Sequence, residues 1–203
     1  MLKRTSKTYI ENIISQNPNW KVLDIGCGYG ANKYATTICD ILDLSDHYKD
    51  KTFIKINEKK LPFKDKEFDF IIASHVAEHV EDISYFFNEL ARVGKKGYIE
   101  VPTKLEDNLV FENKKAHLWH LVFDDVNRQL NIYKKKQYFE PVLTVGTIKK
   151  LNDFFRESLV IELYWENSIE FKINQDDLKI TNKISILNLL KKYFSKKIIL
   201  LIK

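Results

Sequence analysis

Glycine is scarce in this chain and concentrated in one place. Three of its six glycines, Gly26, Gly28 and Gly30, lie within five residues directly after the apolar run 20–25, which is typical of a buried strand. Glycine tolerates positive φ and lets the backbone approach a ligand without an intervening Cβ. The pattern therefore predicts a ligand-binding loop at the end of a strand, and a tight turn without a ligand is the weaker interpretation.

Two cofactor classes fit such a loop. Gly26, Gly28 and Ala31 match the dinucleotide pattern with alanine in third place, which supports a nicotinamide cofactor. Asp24 favours S-adenosylmethionine instead, because a carboxylate at the strand end attracts the ammonium of a methionine moiety and repels a pyrophosphate. We therefore expect S-adenosylmethionine, with NAD as the alternative.

The spacing after the loop supports the same choice. Only residues 26–35 separate the first strand from the second, which is near the minimum of about 10 to 12 residues for a parallel crossover. So short a connection leaves little room for the helix whose N-terminus holds a pyrophosphate. Asp40 or Asp43, at the end of the second strand, can bind two ribose hydroxyls, and we prefer Asp40.

The hydrophobic pattern predicts one α/β domain over residues 1–175 and a basic amphipathic segment over 176–203. Helical periods occupy 5–16, 83–93 and 147–157. Apolar runs typical of strands of a parallel sheet lie at 36–42, 52–56, 68–73 and 97–101. Further strands are predicted at 119–125, 129–135, 159–165 and 168–173, the last two as a hairpin.

Charge is distributed unevenly along the chain. The net charge is +5, but residues 181–203 hold six lysines and no acid, so the body is about neutral. Nucleic acid is therefore not indicated as a partner. The apolar stretch 184–202 with interleaved lysines predicts a docked terminal helix or, as the alternative, a helix on a membrane surface.

The polar N-terminal stretch 1–21 lacks an apolar signal-peptide core, which predicts a cytoplasmic protein. If the lysine-rich C-terminal segment binds a membrane, we expect it to bind the inner face. Cys27 and Cys39 have no disulfide or metal-type spacing and are expected to be reduced.

Three segments together resemble the class I S-adenosylmethionine-dependent methyltransferases. They are VLDIGCGYG at 22–30, LPFKDKEFDFIIASHVAEHV at 61–80 and GYIEVP at 97–102. The short first crossover, the SHVAEHV segment and a later His-x-x-His are similar to small methyltransferases of glycan and surface-polysaccharide biosynthesis. The resemblance implies a Rossmann-like fold, with a mostly parallel seven-stranded sheet flanked by helices.

The resemblance also implies which residues bind the cofactor. The methionine part is expected to contact Asp24, Gly26, Cys27, Gly28 and Gly30, and the ribose is expected to contact Asp40. The adenine is expected to lie against Asn57, Glu58 and Leu61, and the methyl group beside Ser74. His75 would lie next to Ser74, also beside the reactive methyl.

Four of the five histidines form two tight pairs, His75 with His79 and His117 with His120. An imidazole can take the proton of an alcohol acceptor near neutral pH, and we expect His75 or His117 to be this base. His75-x-x-Glu78-His79 also matches an inverted zinc-protease motif. We expect no metal, because the same motif belongs to the methyltransferase resemblance, in which His79 has a packing or capping role. The alternative is a metal site to which His117 and His120 add ligands.

Four other residues are interpreted as structural. Glu100 and Glu162 are expected to be surface acids at strand ends, and Trp119 and Trp165 are expected to fill the core rather than stack on a sugar. The function that follows is O-methylation of a small molecule, glycan or lipid-linked sugar. The alternatives are a nicotinamide-dependent oxidoreductase and a non-catalytic partner that keeps the fold.

Overall fold

A computed structural model describes residues 1–57, 60–175 and 184–202, with side chains described up to residue 199 in the last segment. The strands are β1 Leu2–Arg4, β2 Val22–Ile25, β3 Thr37–Asp40, β4 Thr52–Lys55, β5 Phe70–Ser74, β6 Lys96–Pro102, β7 Trp119–Asp124, β8 Gln129–Lys134, β9 Val160–Glu166 and β10 Phe171–Ile173. The helices are α1 Lys7–Ser15, α2 Ile83–Val93, α3 Lys104–Leu109, α4 Asn113–Ala116, α5 Val145–Leu159 and α6 Ile186–Ile202.

The centre of the fold is a seven-stranded sheet in the order β1-β9-β6-β5-β2-β3-β4. Strands β2 to β6 pair in parallel, and β9 runs antiparallel to both β6 and β1. The predicted Rossmann-like α/β fold is thus confirmed. Because β2 lies between β3 and β5, the carboxyl ends of these three strands meet at one edge, where ligands bind in parallel sheets.

Local signals position the flanking helices. The Ser6 side chain accepts the N–H of Tyr9 and begins α1, and the Asp82 side chain accepts the N–H of Tyr85 and begins α2. Helix α1 packs on one face of the sheet, and α2 packs on the other together with the smaller sheet. Residues 26–36 contain no helix, as the short crossover predicted.

The hairpin predicted for 159–173 is wrong. Strand β9 enters the large sheet, whereas β10 pairs in parallel with β8 in a separate sheet of order β10-β8-β7. Residues 160–165 are all buried, as a strand inside a sheet requires, while 171–173 are partly or fully exposed and suit an edge. Trp119 and Trp165 both lie in the core, as predicted.

The two ends of the chain differ from the prediction. Leu2 is buried in β1, a short edge strand that the polar N-terminal composition did not indicate. The prediction that the terminal helix docks on the domain is wrong over residues 187–199, because their side chains on α6 are all exposed. In the part of the chain that the structure describes, no helix is both long and apolar enough to cross a membrane. Cys27 and Cys39 are buried free thiols.

Candidate active site

Two cavities meet at Gly26, at the carboxyl edge of the central strands. The inner cavity, of about 120 Å³, is lined by residues of the glycine loop and by Lys7, Asp24, Asn32, Ser74, Tyr98 and Glu100. The outer cavity, of about 670 Å³, is lined by residues at or after the ends of β3, β4 and β5 and by the first turn of α2, among them Asp40, Asn57, Leu61, His75, His79 and Tyr85. The outer volume is in the range typical of small-molecule sites.

The glycine loop adopts a backbone that other residues rarely take. Gly26 has φ +64° and Gly28 has φ +49°, both in the left-handed region. A Cβ on Gly26 would lie 2.6 Å from Cγ2 of Val76, so the close packing of the loop against the segment after β5 also requires glycine there. Gly30 and Cys27 line the inner cavity, and Gly28 supports the turn through its N–H.

Asp24 is a buried carboxylate at the wall of the inner cavity. Its Oδ2 accepts the N–H of Asn32 at 2.7 Å. Burial outweighs this hydrogen bond and raises the pKa of Asp24 to about 6. A cationic group in the cavity would therefore be stabilised by Asp24, and Lys7 in the same wall offers a positive charge for a carboxylate.

Asp40 connects the outer cavity with the glycine loop. Its Oδ2 accepts the N–H of Gly28 at 2.8 Å, and its Oδ1 accepts the N–H of Leu42 at 2.9 Å. Each carboxylate oxygen keeps a second lone pair for a ligand hydroxyl. Asn57 and Leu61 line the same cavity, whereas the predicted contact Glu58 lies outside the described residues.

His75 lies directly after β5 between two buried carboxylates. Its Nδ1 is 3.3 Å from Oε1 of Glu78 and its Nε2 is 3.1 Å from Oε1 of Glu100. Partial burial opposes the charge on the ring, but hydrogen bonds with Glu100 and Glu78 raise the pKa of His75 to about 10. Both nitrogens then carry protons at neutral pH, which argues against the predicted role of His75 as the base.

The surface positions expected for Glu100 and Glu162 are wrong. Both side chains are buried, and both accept hydrogen bonds from Arg156. An oxygen of each also lies within hydrogen-bond distance of the Tyr98 hydroxyl, whose single proton the two carboxylates share. The guanidinium neutralises acids that the apolar strand sequences alone would leave unpaired. Arg156 lies on α5, six residues before Glu162 but 56 residues after Glu100, so its contact with both acids follows from the fold and not from a local pattern.

His117 lies behind His79 rather than in the wall of either cavity. The two rings are perpendicular, with centroids 4.5 Å apart. Nδ1 of His117 donates to Oδ1 of Asp107 at 2.6 Å, and Nδ1 of His79 donates to the carbonyl of Ala116 at 3.0 Å. Asp107 also forms an ion pair with Lys135, with Oδ1 2.7 Å from Nζ. Burial raises the pKa of Asp107, but hydrogen bonds from His117, His120 and Lys135 outweigh burial, so the pKa is lowered.

Comparison with known proteins assigns the family. The profile of the family described as a methyltransferase domain matches residues 23–99, which include the glycine loop, Asp40, Asn57 and Ser74. The chain belongs to the class I methyltransferases. The cofactor of this methyltransferase is S-adenosylmethionine.

Two curated relatives match this methyltransferase. An uncharacterized protein of Methanocaldococcus jannaschii is 31% identical over 159 residues, which cover 71% of this chain and 68% of that protein. A sterol 24-C-methyltransferase of Gibberella zeae is 27% identical over 134 residues, 54% of this chain and 35% of that enzyme. The chain thus spans about a third of the length of the fungal enzyme.

Among solved structures, a SAM dependent methyltransferase from Aquifex aeolicus aligns with 77% of this chain and 87% of that one, at 14% identity and a TM-score of 0.43. A protein from Pyrococcus horikoshii aligns with 80% of this chain and 92% of that one, at 20% identity and a TM-score of 0.42.

The residues present in this methyltransferase fit the cofactor. Asp24 is a buried carboxylate suited to the ammonium of the methionine part, and Lys7 is a cation suited to its carboxylate. The second lone pairs of Asp40 suit the ribose hydroxyls. Sequence reasoning missed Lys7 and Asn32, because neither belongs to the glycine motif. Asn32 lies two residues after Gly30, and this position in the short crossover was its one available signal. Lys7 lies 19 residues before Gly26 and reaches the cavity only because α1 packs there, which no sequence pattern shows.

Proposed function

We propose that this protein transfers a methyl group from S-adenosylmethionine to a hydroxyl oxygen of a small molecule, glycan or lipid-linked sugar. The observation that carries the proposal is the outer cavity, which extends from Gly26 past His75 and His79 to Glu81 and Asp82. This cavity is large enough for an acceptor beside the nucleoside part of the cofactor.

The lining of the outer cavity favours an uncharged, hydroxyl-bearing acceptor. Glu81 and Asp82 supply carboxylates, which accept hydrogen bonds from hydroxyls and repel phosphates. Tyr85 and Phe86 add aromatic surface on which a sugar ring can stack. A nucleic-acid acceptor would instead require a basic groove.

The protein's main contribution to the reaction is alignment. S-adenosylmethionine supplies a methyl group on a sulfonium, which is already an activated electrophile. Asp24 is suited to the methionine part of the cofactor and Asp40 to the ribose. The hydrogen bond from Gly28 to Asp40 fixes the positions of these two parts relative to each other. His75, held between Glu78 and Glu100, is a positioning residue that carries positive charge beside the acceptor space.

The proton of the acceptor hydroxyl also needs a destination. His79 lines the outer cavity, and because its Nδ1 donates to a carbonyl, its Nε2 is the nitrogen with the lone pair. In the absence of a bound metal, His79 is therefore better suited than His75 to accept the proton of the acceptor hydroxyl. The predicted base His117 is held in the same tautomer by Asp107, one ring further from the cavity.

Helix α6 supports a contact with the inner face of a membrane as part of the same proposal. On its first three turns, Leu187, Leu190 and Phe194 are exposed apolar residues at helical spacing, Lys191 lies beside them, and Lys192 lies on the opposite face. A helix with exposed apolar residues, lysines and no acids suits an anionic lipid surface. Lipid-linked sugars are available at such a surface.

The decisive experiment incubates the full chain with S-adenosylmethionine carrying a ¹³C-methyl group and with separate glycan, lipid and nucleic-acid fractions of a cell extract. We expect a methoxyl carbon signal in the glycan, lipid or small-molecule fraction, and none with the Asp24→Asn variant. A methylamine product, or label confined to nucleic acid, contradicts the proposal. Binding of the cofactor without any labelled product supports the non-catalytic alternative, and binding of NAD instead supports the oxidoreductase.

A further inference from the structure

Glu78, His79 and His117 form a compact group of side chains at the edge of the outer cavity. Each offers one potential metal-binding atom, and these three atoms lie within 4.8 Å of one another. Glu78 and His79 follow β5, whereas His117 follows α4, so the fold brings the third member to the other two.

The backbone fixes this group. The N–H of Leu118 donates to the carbonyl of Glu78 at 2.7 Å, and the indole N–H of Trp119 donates to the carbonyl of Val80 at 2.7 Å. The segment that carries His117 is therefore attached on both sides of His79. Held backbone positions reduce the entropy lost when side chains converge on an ion.

Both imidazoles are held in the orientation that metal-binding histidines adopt. Nδ1 of His79 donates to a backbone carbonyl, and Nδ1 of His117 donates to the carboxylate of Asp107. Each ring consequently presents the Nε2 lone pair. A carbonyl or carboxylate behind the ring is the usual outer support of a metal site, because it fixes the tautomer and raises the basicity of the ligand nitrogen.

Glu78 contributes an independent observation. Its side chain is fully buried, and Oε2 has no hydrogen-bond partner among the described residues, while Oε1 is near His75. A buried carboxylate oxygen without a partner is costly. Glu106, which interacts electrostatically with Glu78 and His117, has a second buried Oε2 without a partner in the described part of the chain.

We propose that Glu78, His79 and His117 bind a divalent metal ion of the manganese-to-zinc series. Two imidazole nitrogens and one carboxylate oxygen favour these ions over magnesium or calcium, and such three-ligand sets leave positions open for another molecule. The sequence pattern alone predicted no metal. It showed neither the support of Asp107 and Ala116 nor the unpaired oxygen of Glu78.

The position of the ion beside the outer cavity gives it a role, which rests on the proposed function. With the ion bound, Nε2 of His79 is a ligand and no longer accepts the proton of the acceptor. The ion would instead make a hydroxyl bound to it more acidic, and the released proton would pass to solvent in the open outer cavity. A sugar or other polyol with neighbouring hydroxyls could occupy two open positions and be oriented at the same time. The binding of the ion itself does not depend on this role.

The test measures metal binding without cofactor or acceptor. The full chain is treated with a chelator, dialysed and titrated with Zn²⁺ and Mn²⁺ by calorimetry, and Co²⁺ is added as an absorption probe. We expect one site in the wild type and at least a tenfold loss of affinity in Glu78→Gln and His79→Ala. His47→Ala is the matched control, because this exposed histidine lies outside the group, and it should bind as the wild type does.

Circular dichroism of each variant establishes that it is folded. Because His79 is exposed, its replacement leaves the core intact even if Glu78→Gln is unstable. Histidine side-chain ¹⁵N spectra provide a second measurement, in which Zn²⁺ should shift Nε2 of His79 and His117 and not of His47. Absence of binding in the wild type, or equal affinity in His79→Ala, overturns the proposal. Metal binding without methyl transfer leaves it standing and counts only against the proposed function.

Discussion

Oδ2 of Asp40 accepts the backbone N–H of Gly28 at 2.8 Å, so the acid that ends β3 also holds the loop that follows β2. The carboxylate therefore has two tasks. It fixes the glycine loop from behind, and it offers lone pairs to the outer cavity. The adenosine and methionine ends of the site are coupled through this one side chain.

Replacement of Asp40 by asparagine should damage both tasks. An amide offers one acceptor oxygen where two backbone N–H groups now bind, so the NH₂ group faces a donor. We expect a loss of about 1.5–3 kcal/mol in the free energy of unfolding, measured with denaturant, and at least tenfold weaker binding of S-adenosylhomocysteine by calorimetry. Asp43→Asn is the control, because Asp43 is exposed and bonded to Ser45. Equal effects of the two variants would disprove the double role of Asp40.

Gly26→Ala should be far more damaging than Gly30→Ala. At Gly26 the added methyl meets Val76 at 2.6 Å and the residue has positive φ, whereas at Gly30 nothing lies within 4 Å. The left-handed conformation alone costs about 1–2 kcal/mol for alanine. Thermal unfolding should show a clear loss for Gly26→Ala and almost none for Gly30→Ala. Adding Val76→Ala should recover the steric part of the loss and leave the conformational part.

Binding of the cofactor should depend on pH through Asp24. Burial raises the pKa of Asp24 from 3.8 to about 6, so the free protein is partly protonated there in mildly acidic solution. The proton competes with the ammonium of the ligand, and the affinity for S-adenosylhomocysteine should fall as the pH falls through about 6. Calorimetry between pH 5 and 8 measures this dependence, and Asp24→Asn should remove it together with most of the affinity.

The same shift predicts the effect of Asp24 on stability in the absence of cofactor. A carboxyl with a raised pKa in the folded state binds its proton more tightly there than in the unfolded chain. Its contribution is therefore most favourable below pH 3.8 and declines as the pH rises to about 6. Against the wild type, Asp24→Asn should be relatively more stable at pH 7 than at pH 4, which denaturant unfolding measures. If Asp24→Asn is instead relatively more stable at pH 4 than at pH 7, the pKa of Asp24 is not raised in the folded protein.

The parts of the fold that sequence predicted are those governed by local pattern. Periodicity identified β2 to β6 and α1, α2 and α5, and the glycine loop located the cofactor edge of the sheet. The pairing of β9 and β10 was missed, because adjacent short strands suggest a hairpin and only tertiary burial separates them. The buried network of Tyr98, Glu100, Glu162 and Arg156 was missed for the same reason, since its cation lies on another element.

The histidines show the same limit within the site. The sequence identified both pairs as functional candidates, but their protonation depends on partners that the pattern does not reveal. Glu100 on β6 raises the pKa of His75, and Asp107 on α3 fixes the tautomer of His117. Composition likewise could not decide between a docked and an exposed α6, because apolar residues occur on more than one face of that helix.

The exposure of α6 leads to a prediction about lipid binding. Leu190 and Phe194 lie one turn apart with exposed side chains, and burying them in the acyl boundary of a membrane gains about 1.5–3 kcal/mol each. The full chain should sediment with vesicles that contain anionic lipid and much less with neutral vesicles, because the lysines add electrostatic attraction. Leu190→Ser with Phe194→Ser should abolish sedimentation, while Asn188→Ser, on the polar side, should not. Binding to neutral vesicles that is unchanged by salt would contradict the electrostatic part, and retention of binding in the double variant would contradict the apolar part.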